Sequence, residues 1–474
     1  MNRDELCDMP ATRMAALIAS RQLSPVEVTE AVLARIARLN PSLNAFALLM
    51  PDEARAAARL AEAEVMSGKE LGPLHGVPIT VKDNVSLAGV PLRNGSIAAE
   101  AVVPATDALA VGRVKAAGAI VIGKTTLPEF AHKMLTENLA DGVTLNPWNR
   151  EHSPGGSSGG AGAALAAGLA PLAVATDGGG SIRCPAAWTG VLGLKPTLGR
   201  IPNEAAPDSF GNFAYVGPMA RVTDDVALLL SVMQGPCPAD PFALAAPVEP
   251  ERMSIRGLRV GWIAHFGEYR TETEVLALTQ AAMSRLSALG AAVEEVKEAC
   301  FDGLYSIYAT LASTVRARRY GHIFDAAGDR MTATLRAGIV QGRGWSALDF
   351  MAASDRRTTL FRAVQGLLQR YDVLAMPTVT TPAPRLDSID PAYPGSYPQW
   401  AAALHPFNLT GHPALSTPAG FTAAGLPVGL QLVGPWFSEQ RLLMVSGALE
   451  QSLGLSARHP PLIADTGGSP CLSS

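Results

Sequence analysis

Residues 155–186 read GGSSGGAGAALAAGLAPLAVATDGGGSIRCPA. Glycines and serines crowd both ends of this stretch, and an alanine-rich run joins them. A chain sets glycine beside serine where its backbone must approach a neighbour closely or take conformations closed to other residues. The run Gly178-Gly179-Gly180 before Ser181 can aim several backbone N–H groups at one point, which is what an oxyanion needs. Either half alone is equally an ordinary glycine-rich turn. Between them, Gly159–Thr176 is the most apolar stretch of the chain. It is mostly Ala and Gly and contains Pro171, so it reads as a buried helix running into a strand, not a membrane span.

Outward from this unit, short apolar runs alternate with helical stretches. Val77–Val81, Ala119–Ile122 and Leu172–Ala175 suit a buried, largely parallel sheet. Leu258–Ile263, Tyr371–Met376 and Val428–Val433 read as further strands. The first 65 residues read as helical, with Ser24-Pro25-Val26-Glu27 as a cap, a first-turn proline and a capping-box glutamate. Asn40-Pro41 is expected to stop that segment, and a second helix to run from Pro51 to near Gly68. Thr271-x-x-Glu274 reads as the capping box of a later helix that closes at Gly290. The expected organisation is one α/β domain over 1–465. A helical N-terminal segment covers 1–65, a core 66–245, a helical insertion 246–370, and a return to the core 371–465. Residues 466–474 are small and polar and expected to fray.

The 474 residues are 48% hydrophobic and 17% charged, which excludes disordered, collagen-like and coiled-coil chains. Lys+Arg number 38 against 42 Asp+Glu, a formal charge of −4. No basic field exists to hold a phosphate backbone, so no nucleic-acid partner is expected. Five cysteines stand far apart with no CxxC, and neither a disulfide framework nor a zinc ribbon is read from them. The eight histidines are scattered without metal-binding spacing. MNRDELCDMP shows no apolar leader. The expectation is a cytoplasmic protein with no cofactor, no metal and no membrane partner; a homodimer is compatible with it.

Three motif matches mislead. Gly118-Ala-Ile-Val-Ile-Gly123-Lys124-Thr125 fits the phosphate-loop pattern, but its four inner residues are themselves a strand, and Lys124 is expected to open a helix. Gly155-Gly-Ser157-Ser-Gly159 fits the nucleophile elbow, yet a polar loop precedes it where a strand is required. Cys184 invites a thiol-nucleophile reading, but a cysteine beside Pro185 reads as a small buried hydrophobe. Lys82 is more informative, because it ends the apolar run GVPITV. A lysine there either snorkels to water or stays buried, loses its proton and serves as a base.

These residues resemble the amidase signature hydrolases. The resemblance rests on the Gly/Ser loop and the D-x-G-x-S-I-R-x-P-A stretch over Gly155–Ala186, and on GVPITVKDN at 76–84. GKTTLPEFA, NPWN, GLKPTLGRIP and GLPVGLQLVGP extend it over most of the chain, most weakly between about 246 and 370. It implies the amidase-signature fold, a large mixed β-sheet core surrounded by helices. It implies Ser181 as nucleophile, Ser157 after a cis Gly156–Ser157 bond as bridging serine, and Lys82 as general base. The backbone N–H groups of Gly178, Gly179, Gly180 and Ser181 would form the oxyanion hole. Asp177, Arg183 and Ser158 would support that site, although Asp177 and Arg183 are equally read as an ordinary structural ion pair.

The function implied is hydrolysis of C–N bonds other than peptide bonds, without cofactor, through an acyl-enzyme. A small neutral amide or carbamate, aryl or alkyl, is the expected substrate, with esters possible. Pocket walls are expected from the Phe130–Asn138 region and from the insertion, and the few charges read there, Lys133 and Glu137, favour an uncharged substrate. Two alternatives stay open. One is the glutaminase component of a tRNA-dependent amidotransferase, disfavoured because QWAAALHPF before Asn408 offers no acid for an α-ammonium group. The other is a non-catalytic binding protein on the same fold, disfavoured by the joint presence of Lys82, Ser157 and Ser181.

Overall fold

A computed structural model describes residues 1–244, 254–296, 301–389 and 397–461. Its centre is an eleven-stranded mixed sheet. The strands are β1 (Phe46–Leu49), β2 (Pro78–Lys82), β3 (Ile120–Thr125), β4 (Leu172–Asp177), β5 (Leu192–Lys195) and β6 (Tyr215–Ala220), then β7 (Arg259–Trp262), β8 (Ala292–Glu295), β9 (Val373–Pro377), β10 (Ala414–Phe421) and β11 (Pro427–Val433). Their spatial order is β1-β3-β2-β4-β6-β5-β10-β11-β9-β7-β8. β2 is parallel to both β3 and β4, and β4 is antiparallel to β6. This is the α/β class expected from the alternating apolar runs.

The Gly/Ser-rich stretch folds as a loop, the helix Gly159–Ala166, strand β4, a tight turn at 178–182 and the helix Arg183–Thr189. Every residue of Gly159–Ala166 is buried, so its Ala and Gly content reflects tight packing. Because β2 and β4 run parallel, with Val81 opposite Val174, Lys82 and Thr176 leave the sheet at the same edge. Such carboxyl ends of parallel strands are where α/β folds open a site.

Several local expectations change. Ser24 does form a capping box with Glu27, but Pro41 falls in the last turn and the helix continues from Pro25 to Leu43. Proline there forfeits only one intrahelical bond. The N-terminal segment is not all helical, because Phe46–Leu49 pairs antiparallel with β3. Thr271 and Glu274 form no capping box. The helix Thr273–Ala288 has Glu272 at its cap, Thr271 Oγ1 donates to the Ala264 carbonyl at 2.6 Å, and Glu274 accepts from the Ala423 N–H. Lys124 opens no helix but lies in β3, buried 3.7 Å from Asp83. The inserted segment carries the expected strand at Leu258–Ile263 as β7 and adds β8, which was not expected, at one edge of the main sheet. The expected frayed tail, 466–474, lies outside the described residues. Among the described residues no helix is long and apolar enough to cross a membrane.

The helix Gly159–Ala166 packs almost onto backbone. A Cβ on Gly160 would sit 2.6 Å from both the Ala45 carbonyl oxygen and the Thr126 nitrogen. Gly160→Ala should therefore lose about 1–3 kcal/mol from overpacking, despite alanine's advantage of about 1 kcal/mol within a helix. A denaturant midpoint equal to or above the parent's would contradict this close approach.

Candidate active site

Lys82 is fully buried at the end of β2. Its Nζ lies 2.6 Å from Ser157 Oγ, 3.0 Å from Thr176 Oγ1 and 3.4 Å from the Thr176 carbonyl. None of these neighbours carries a charge. Burial therefore pulls the amine down from 10.5 to about 7, opposed only by the more distant Asp177. Asn84 also bonds Thr176 Oγ1, at 3.0 Å, which fixes the hydroxyl that faces the amine.

Ser157 follows a cis peptide bond from Gly156. The loop around it is pressed against backbone: a Cβ on Gly156 would come within 2.7 Å of Leu135 N. Ser158 ties this loop to the next one, because its N–H donates to the Ser181 carbonyl at 3.1 Å and its hydroxyl to the Thr176 carbonyl at 3.2 Å. Ser157 and Ser181 line the same cavity, of about 310 Å³. The structure thus brings Lys82, Ser157 and Ser181 to one place.

The turn that presents Ser181 is organised by Asp177. Its carboxylate accepts the N–H groups of Gly180 at 2.6 Å and Ile182 at 3.1 Å, the Arg183 Nε and Nη2 at 3.0 Å each, and Asn408 Nδ2 at 2.9 Å. Burial alone would raise this carboxyl; Arg183, Asn408 and the Gly180 N–H hold it far below the usual range. Arg183, itself fully buried, also donates to the Leu404 carbonyl and to Gln431 Oε1. The expected pairing of Asp177 with Arg183 is present. One member of the expected oxyanion hole is corrected: the Gly180 N–H donates to the Asp177 carboxylate instead.

Cys184 is buried and does not line the cavity, and burial pushes its thiol up. His132 does line it, but its ring nitrogens are engaged by the Glu129 carbonyl and Thr334 Oγ1. No group of His, Cys, Asp and Glu suited to a metal occurs among the described residues.

Four contributors were not legible as such in the sequence. Thr176 lacks a motif of its own, and nothing local marks Asn408 as a partner of Asp177. Tyr308 and Arg316 belong to the helix Leu304–Ala327, where resemblance is weakest. Both expected walls line the cavity, through Phe130–His132 and through the inserted helix, but their charges differ from expectation. Lys133 and Glu137 pair with each other and do not line the cavity, whereas Arg316, Arg318 and Arg319 do. The neutral-substrate expectation rested on two charges that the cavity does not use.

Comparison with known proteins adds three relationships and a family. The family model described as Amidase matches residues 27–443. The chain is 37% identical to a glutamyl-tRNA(Gln) amidotransferase subunit of Synechococcus sp. (strain CC9605), covering 96% of this chain and 98% of that one. It is 35% identical to an acylamidase of Rhodococcus erythropolis, over 91% and 93%. A solved bacterial aryl acylamidase of the amidase signature family superposes with a TM-score of 0.89 at 28% identity, over 98% and 99%.

Replacing Asp177 by Asn would leave the Arg183 cation buried without its counter-charge. Breaking such a pair typically costs about 3–5 kcal/mol. Asp177→Asn should lower unfolding stability by that order; a loss under about 1 kcal/mol would mean that the carboxylate does not anchor the turn.

Proposed function

The chain belongs to the amidase family, and on that premise we propose that it hydrolyses a small amide through an acyl-enzyme on Ser181, with carbamates and esters open to the same step. The observation that carries this reading is the 2.6 Å contact of buried Lys82 Nζ with Ser157 Oγ, where Ser157 and Ser181 line one cavity. A neutral amine has two N–H donors and one lone pair. Thr176 supplies two acceptors, Oγ1 and the carbonyl, so the lone pair falls to the Ser157 hydroxyl.

In this reading Ser157 passes its proton to Lys82 while taking one from Ser181, whose oxygen attacks the carbonyl carbon. The N–H groups of Gly178, Gly179 and Ser181 receive the developing oxyanion. The proton held by Lys82 returns through Ser157 to the leaving nitrogen as the C–N bond breaks. Water then enters by the same relay in reverse and releases the acid. No step calls on a thiolate, a metal or a cofactor.

The relative from Synechococcus makes glutaminase the second reading. Glutamine would bring an α-ammonium group needing a carboxylate, and Gln399–Phe407 contains none. Glu204 and Asp208 line the cavity and keep their charge, each accepting one backbone N–H through a single oxygen, at 2.7 Å and 3.0 Å. An ammonium held beside Gln399–Phe407 would still be unpaired there, at a cost of several kcal/mol, which disfavours free amino acids.

A fluorophosphonate should label Ser181 alone, and Ser181→Ala should lose both labelling and turnover. The isolated chain should show a higher kcat/KM for an acyl anilide than for glutamine. An adduct mapped to Ser157 or Cys184 would overturn the nucleophile, and faster glutamine cleavage would favour the second reading.

A further inference from the structure

One face of the helix Leu304–Ala327 forms a wall of the cavity. Tyr308, Ala312, Val315, Arg316 and Arg319 line it, at the i, i+4, i+7, i+8, i+11 spacing of a single helical stripe. At the inner end is Tyr308. A Cβ on Gly179 would run into its hydroxyl, so Tyr308 stands beside the loop that presents Ser181. Its ring stacks on His405 with centroids 3.5 Å apart.

Arg316 lies eight residues on, about 12 Å along the axis, and Arg319 about 16 Å, at 1.5 Å per residue. Helical side chains lean toward the helix N-terminus, and Arg316 comes close enough for its charge to act on Tyr308 and His405. Arg316 spends one nitrogen on the His132 carbonyl, at 3.1 Å. Arg318 and Arg319 add two further cations to the same wall. The acids facing this cavity are Glu204 and Asp208, each already bonded to a backbone N–H. Cations therefore outnumber acids on this wall. A guanidinium fork matches a planar carboxylate with two parallel hydrogen bonds.

We propose that the Arg316–Arg319 face is a carboxylate-binding subsite, and that the preferred substrate is an amide carrying a carboxylate a few bonds from the scissile carbonyl. This rests on the hydrolase reading above and narrows its substrate class. The test is protection of Ser181 from fluorophosphonate labelling, which needs no turnover. Glutaramate is compared with valeramide for a carboxylate on the acyl side, and N-acetyl-4-aminobutyrate with N-butylacetamide for one on the amine side. In the parent protein at least one acidic member should protect at a concentration roughly tenfold or more below its neutral partner, as expected for a charged hydrogen-bonded pair. Arg319→Gln should shrink that ratio to below about threefold, and Arg319→Lys should restore part of it. Equal protection within both pairs in the parent protein would overturn the subsite while leaving the hydrolase reading standing. So would an unchanged ratio in Arg319→Gln. Absence of any Ser181 labelling would instead count against the hydrolase reading itself. The parent comparison decides even if the variants do not fold.

Discussion

A lysine amine in the interior, with only hydroxyls and a carbonyl around it, cannot easily remain an ammonium ion. Lys82 is in that position, and its difference from an exposed lysine, 10.5 against about 7, corresponds to roughly 5 kcal/mol. Lys124, on the neighbouring strand, shows the contrast. Burial lowers it as well, but Asp83 stands 3.7 Å away and the Val85 carbonyl accepts a hydrogen bond from its N–H at 2.8 Å. Lys124 reads as part of the frame. Lys82 is offered a serine hydroxyl instead, and that choice of neighbour sets what the site can do.

The surrounding structure holds this arrangement still. Parallel strands β2 and β4 bring Lys82 and Thr176 to one edge, and Ser158 stitches the Ser157 loop to the Ser181 turn. Behind the turn, Asp177, Arg183, Asn408 and Gln431 form a buried polar cluster drawn from distant parts of the chain. A satisfied network of this kind fixes geometry, whereas a half-satisfied one is worse than an apolar core. The same cluster takes the Gly180 N–H out of the cavity, so the turn has fewer free donors than its three consecutive glycines suggest.

Much of this could be read from residues 155–186 and from GVPITVKDN, where close approach and burial leave a compositional mark. The α/β class followed from the same alternation of apolar runs. What escaped had physical reasons. Phe46–Leu49 is too short for its periodicity to register beside two long helices. Thr271 and Glu274 have the spacing of a capping box, but tertiary partners at Ala264 and Ala423 claim both side chains. Asn408 works through contacts to Asp177 across more than two hundred residues, which no local pattern records. The arginine stripe lies on a helix whose sequence looks like any charged surface helix until the fold turns that face inward.

The claim on which this account depends is that Lys82 is neutral at the pH of catalysis. The chain has seven lysines, at 69, 82, 115, 124, 133, 195 and 297, few enough for their side-chain carbons to be followed singly by NMR after labelling lysine at Cε. One resonance, absent from Lys82→Met, should titrate with a midpoint of about 7. A Lys82 resonance that titrates near the ordinary lysine value of about 10.4 would contradict the account, because the amine would then be an ammonium ion with no lone pair to offer Ser157.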